Sequence, residues 1–159
     1  MDQLTLNHAL ILTCPDGFHE MDGEERSKLN FLEEGEGVCL SDPERHIIVT
    51  VGWKRTGGIV SFLLNDKDLA KNMEARLRKP MRPYGYKLEG FAAQQVGGRE
   101  AQGVRYRYQV GDVGMYGESL VLKSGRTLYY FHFYAREALK AESVPIWREL
   151  LDQLRWLNA

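Results

Sequence analysis

The chain has 159 residues, 43% of them hydrophobic and 27% charged, with a formal net charge of −1 at pH 7. That length suits one domain with a substantial core, 1–159, of ordinary soluble globular composition. The near-zero charge argues against a dedicated nucleic-acid binder, which needs a basic face to neutralise phosphates, and no segment approaches the roughly 20 apolar residues of a membrane span.

Met1-Asp2-Gln3-Leu4-Thr5 lacks the basic start and apolar run of a secretion signal, so the expected compartment is the cytoplasm. Leu4 to Leu6 and Ala9 to Thr13 read as two short strands, followed by turn chemistry in Pro15-Asp16-Gly17. Asp22-Gly23-Glu24-Glu25 has the form of a capping box, opening a short helix expected to end near Leu32. A strand at Val38-Cys39-Leu40 follows, then one with Ile47, Val49, Val51 and Trp53 on one face. Cys14 and Cys39 each end an apolar run, fit neither metal spacing nor a CxxC motif, and are expected as buried free thiols.

After Thr56-Gly57-Gly58, a helix is expected from Asn65-Asp66, with Leu69, Met73 and Leu77 on one stripe and Pro80 and Pro83 ending it. Tyr84 to Val96 reads as one strand bent near Gly90, and Gly97-Gly98 as a hairpin turn. The next strand alternates Val104, Tyr106, Tyr108 and Val110 with Arg105, Arg107 and Gln109, one buried face and one wet face. Met115 to Lys123 and Thr127 to Tyr134 complete the meander. A closing helix is expected to be capped by Ser143, with Ile146, Trp147, Leu150, Leu151, Leu154 and Leu157 inward and Arg148, Glu149, Asp152 and Arg155 outward. The short turns imply antiparallel pairing. The predicted fold is α+β: a three-layer α/β/α sandwich on a single antiparallel sheet of about six to seven strands, with an N-terminal hairpin and two main helices.

Cys14-Pro15-Asp16-Gly17-Phe18, Gly85-Tyr86 and Val96-Gly97-Gly98-Arg99-Glu100-Ala101, with the aromatic strands and a Trp-containing last helix, resemble motifs of the PsbP-like/DcrB-like superfamily. The resemblance covers nearly the whole chain as a layout. It implies the same three-layer domain and, because known members are mostly not enzymes, a non-enzymatic role. Among the members, the cytoplasmic, bacterial, effector-associated chaperone branch fits best, because the chain shows neither an export signal nor a lipidated cysteine.

No catalytic constellation emerges from the residues. His8, His19, His46 and His132 form no HxH or HExxH pattern, and Gly117-Glu118-Ser119-Leu120 lies within a strand, not at a nucleophile elbow. No cofactor is implied. His132, between Phe131 and Phe133, reads either as a tuned acid/base in a cleft or as a core histidine with its nitrogens satisfied. Charge is uneven: residues 16–44 hold ten acidic and two basic side chains, residues 66–87 seven basic and three acidic, which can steer a partner.

In the strand at 127–134, Tyr129, Phe131 and Phe133 point one way, and Leu128, Tyr130, His132 and Tyr134 the other. Two helices on opposite faces would bury both sets, with the second set the better candidate for partial exposure. The candidate binding residues are Tyr130, His132, Tyr134, Arg105 and Arg107. The expected function is a protein-interaction module, adaptor or chaperone-like, gripping an unknown peptide or protein with its sheet as a monomer or weak homodimer. The alternative is a small-ligand binder or unrecognised enzyme with a pocket near His132.

Overall fold

The computed structural model describes residues 2–27, 36–57 and 65–157. Strands β1 (Gln3–Leu6) and β2 (Leu10–Thr13) form the N-terminal hairpin, followed by β3 (His19–Glu20) and helix α1 (Gly23–Ser27). The capping box at α1 is reciprocal. Glu25 N–H donates to Asp22 Oδ1 (2.8 Å), and Asp22 N–H donates to Glu25 Oε1 (3.3 Å). The rest of that expected helix lies outside the described residues. β4 (Glu36–Asp42) and β5 (Ile47–Arg55) come next, then α2 (Asp66–Met81), β6 (Lys87–Val96), β7 (Arg99–Val110), β8 (Val113–Ser124), β9 (Thr127–Arg136), α3 (Lys140–Gln153) and β10 (Arg155–Trp156).

Seven strands form an antiparallel sheet in the order β3-β4-β5-β9-β8-β7-β6. β9 is inside it, paired with β5 on one side and β8 on the other, and every residue from Leu128 to Ala135 is buried. The expectation of a single sheet needs correction. β10 joins the hairpin as β1-β2-β10, with Arg155 opposite Ile11 and Trp156 opposite Leu10.

The period-2 alternation of β9 sorts the core into two sets. Tyr129, Phe131 and Phe133 cluster with the hairpin residues Leu6, Leu10 and Leu12 and with Trp147, Leu150 and Leu151 of α3. Trp147 stacks on Phe133 with ring centroids 5.2 Å apart. Leu128, Tyr130 and Tyr134 cluster with Val104, Tyr106 and Tyr108 and with Leu69, Met73, Leu77 and Met81 of α2. The two helices therefore pack into separate core clusters.

Local expectations fail where a turn of helix competes with a cap or a strand. Asn65 caps α2 by accepting from Asp68 N–H (2.9 Å), but the helix runs through Pro80 to Met81. Pro80 sits in the last turn, where few backbone bonds are lost. Arg82 to Tyr84 form a 3-10 turn closed by Gly85 at φ 69°, so the following strand starts at Lys87, not Tyr84. Its register does shift between Leu88 and Gly90, at the expected bend. α3 begins at Lys140 behind a 3-10 turn, which leaves Ser143 inside the helix and not at its cap, and it ends at Gln153.

The Gly97-Gly98 turn has a second duty beyond reversing the chain. Gly97 (φ 57°) donates its N–H to Leu151 O (2.9 Å), and a Cβ there would stand 2.6 Å from Leu154 O and 2.9 Å from the Trp156 ring. The hairpin tip is thus pressed against the end of α3 and the first residues after it.

Candidate functional site

The α2 face of the sheet carries the candidate site. Tyr106, Ser119 and His132 come from β7, β8 and β9; the register sets Ser119 opposite His132, with Tyr106 on the diagonal, opposite Gly117. The Ser119 hydroxyl lies 2.6 Å from His132 Nδ1 and 2.9 Å from the Tyr106 hydroxyl. The rings of Tyr130, His132 and Tyr134 run along β9 nearly parallel, with successive centroids 6.4 and 6.1 Å apart. Burial, together with the positive charge of Arg76, pushes the His132 pKa down to about 4, so the ring is neutral at pH 7. Burial likewise raises the Tyr106 phenol above its ordinary value.

A serine hydroxyl 2.6 Å from a histidine nitrogen has the distance of a nucleophile–base pair. Ser119 is nevertheless fully buried, and its hydroxyl is held between His132 and Tyr106. A substrate carbonyl has no approach to it in this arrangement. Of the two sequence readings of His132, the structure shows a buried ring with Nδ1 satisfied. Among the described residues, no group of three or more His, Cys, Asp or Glu side chains could hold a metal ion, and no helix is long and apolar enough to cross a membrane.

Beside this network the described residues outline a hollow. A cavity of about 780 Å³ is bounded by β4, β5, β9 and α2 and lined by Thr50, Gly52, Tyr130, His132 and Arg76 among others. Its floor is bare because Gly37 and Gly52 are cross-strand partners, so neither strand raises a side chain there. Gly37 is required for a further reason: a Cβ would sit 2.4 Å from Val51 O. Arg76 forms one wall. Its Nη2 donates to the Tyr130 hydroxyl (2.8 Å), and its guanidinium carbon stands 5.2 Å from the Tyr130 ring centroid. A smaller hollow, about 520 Å³, lies further along the same face beside Ile48, Tyr108 and Tyr134.

Two residues on from Arg76, Arg78 pairs with Glu74 and holds its carboxyl below the usual range, while Tyr86 donates to the same carboxylate (2.8 Å).

The structure thus brings Tyr130, His132 and Tyr134 together and places Arg105 and Arg107 on the opposite face. Register explains the split: Arg105 faces Glu118, which is opposite Phe133, whereas Tyr106 faces Gly117, which is opposite Tyr134. Arg107 pairs with Glu89 (2.9 Å) and Glu137 (2.5 Å). Arg105 Nε lies 3.8 Å from the buried Glu118 carboxylate, which takes two hydrogen bonds from Arg148 at 2.7 and 3.1 Å. Arg148 therefore faces the sheet and pins α3 to it, contrary to its expected outward position. Sequence reading passed over Arg76 because its role depends on contact with Tyr130, 54 positions away. The one available signal was its place in the basic stretch.

Neither a protein-family model nor a curated protein sequence matches this chain. Solved structures share its fold. The cyanobacterial PsbP (CyanoP) of Synechocystis superposes with a TM-score of 0.71 at 14% identity, over 98% of this chain and 91% of that one. PA94 of Pseudomonas aeruginosa gives 0.56 at 14% identity, covering 96% and 94%. LpqN of Mycobacterium tuberculosis, involved in cell envelope biogenesis, gives 0.57 at 12% identity, covering 92% and 82%. At such identities the likeness defines architecture. The chain has an α+β, PsbP-like fold.

Proposed function

We propose that the chain is a non-enzymatic interaction module, adaptor or chaperone-like, that grips a segment of a partner protein with the α2 face of its sheet. In this reading it is a three-layer α/β/α domain, 1–159, acting in the cytoplasm as a monomer or weak homodimer. The observation that carries the proposal is the hollow of about 780 Å³ set against Tyr130, His132 and Arg76. The interior placement of Ser119 supports it, since that hydroxyl is spent on structure. The two separate core clusters support the layering, and a non-catalytic role is consistent with a fold shared with PsbP and with LpqN, a protein involved in cell envelope biogenesis.

A photocrosslinking amino acid at Lys54, on the rim of the hollow, tests this in host cells, with Gln109 on the opposite face as control. The expected result is a discrete adduct from Lys54 alone that disappears on Tyr130→Ala. Identical adducts from both positions, or none from Lys54, would overturn the proposal. A second reading, a binder of small ligands, is favoured by the size of the hollow, which falls in the range of roughly 300–1,000 Å³ typical of small-molecule pockets.

A further inference from the structure

Resting on the reading of the hollow as a binding site, we propose that its occupant presents a carboxylate on a short aromatic or apolar stem, and that Arg76 is the anchor. Three observations converge on this.

The first is charge. Among the described residues, Arg26, Lys54, Arg55 and Arg76 line the hollow against one carboxylate, Glu36, and that carboxylate accepts from Trp53 Nε1 at 2.7 Å. Among the described residues no carboxylate pairs with Arg76. Its neighbours differ: Arg78 is matched by Glu74, and across the sheet Arg107 and Arg148 are matched by Glu89 and Glu118. Arg76 is held in place by a neutral partner instead, the Tyr130 hydroxyl, with the guanidinium against the ring. A guanidinium carries five N–H donors in a fixed fork, so one bond to Tyr130 fixes its orientation and leaves donors for a planar oxyanion.

The second is the floor. Thr50 lies opposite His132 in register, and Gly52 lies opposite Tyr130. His132 is nine-tenths buried, lines the hollow and has Nδ1 committed to Ser119. Nε2 is its other polar atom, without a partner among the described residues. With Nδ1 accepting from the Ser119 hydroxyl, Nε2 carries the proton and donates to an acceptor in the hollow. A neutral donor and a guanidinium together suit a monoanion.

The third is the wall. Tyr130, Tyr134 and the aliphatic Leu77 supply flat apolar surface beside these donors, the combination that binds an aromatic or alkyl stem and orients its polar end. The stem lies along β9 and the carboxylate meets Arg76. The acid is either a free organic acid or an acidic residue beside an aromatic one in a partner segment.

Amide chemical-shift titration of the whole chain distinguishes these, using 3-phenylpropionate against 3-phenylpropanamide and acetyl-Phe-Asp-amide against acetyl-Phe-Asn-amide. The expected result is at least a tenfold preference for an acid over its amide, with shifts centred on Thr50, Gly52, Tyr130 and His132. Arg76→Gln is expected to lower the acid to the level of its amide, and Arg76→Lys to restore part of the preference. Arg76 is on the exposed side of α2, and an unchanged spectrum of the unliganded variant verifies its fold. Equal binding of acid and amide, shifts elsewhere, or an acid preference that survives Arg76→Gln would overturn the inference. A crosslinked partner at Lys54 with no acid preference refutes this inference alone. A preference confined to the free acid, with no crosslinked partner, confirms the anion site and refutes the protein-partner reading.

Discussion

Replacing His132 with Phe is expected to flatten the acid side of the stability curve. The ring is nine-tenths buried and next to Arg76, and its folded pKa of about 4 lies below the 6.5 of the free side chain. Between those values the unfolded chain binds a proton that the native site refuses, so the stability contributed by His132 falls as pH falls. Above about pH 7.5 both states are neutral and the contribution is level. From about pH 7.5 down to about pH 4.5 the linkage relation gives a loss of about 2–3 kcal/mol for a single such group. The Phe ring preserves the volume and cannot titrate. Its loss of the Ser119 bond adds an offset of about 1 kcal/mol that does not vary with pH. Urea denaturation followed by circular dichroism, on both proteins across this range, yields the difference in unfolding free energy at each pH. The wild type should lose about 2–3 kcal/mol more than the variant on acidification. A difference that stays flat within about 0.5 kcal/mol, or one that grows in the opposite sense, would refute the account of His132 as a buried neutral ring.

Three further outcomes follow from packing. Arg148→Met leaves the buried Glu118 carboxylate without its two-pronged partner and is expected to cost about 3 kcal/mol, read by the same urea titration. Trp147→Ala empties the site against Phe133 and should cost about 3–5 kcal/mol, with a matching fall in Tm. Gly97→Ala combines a left-handed φ with contacts of 2.6 and 2.9 Å. It should destabilise the chain by more than about 1 kcal/mol and speed amide exchange in residues 154–156.

Periodicity made the meander legible. Alternation sorted 104–109 and 127–134 into their two faces, but Val110, expected inward, is exposed at the end of β7. The hairpin turn at Gly97-Gly98 was readable because turn chemistry is local. What escaped depended on pairing between distant segments. The floor of the hollow exists because Gly37 meets Gly52, and each glycine alone reads only as a weak strand residue. Arg105 and Tyr106 are adjacent in sequence, yet the pleat sends them to opposite faces, so a list of candidates mixing both parities joined two separate surfaces. Arg148 was misjudged because a charged residue on an amphipathic helix normally faces water, and only the buried Glu118 on β8 reverses that. The end of α3 was missed because Leu154 and Leu157 continue the helical spacing, while the backbone leaves the helix to pair with β2.

That last strand has a consequence for the order of events during folding. Residues 3–13 can close their hairpin as soon as they are made, but the third strand of their sheet is residues 155–156. Trp156 also reaches back, giving its indole N–H to Val96 O (2.9 Å) and meeting the Tyr129 ring edge-on at 5.2 Å. The free edge of the hairpin therefore waits, unpaired, until residues 155–156 have been made. A chain stalled or clipped before Leu154 would lose the clasp on β2 and Val96 together, and would expose Leu10 and Leu12 to any chaperone or protease nearby.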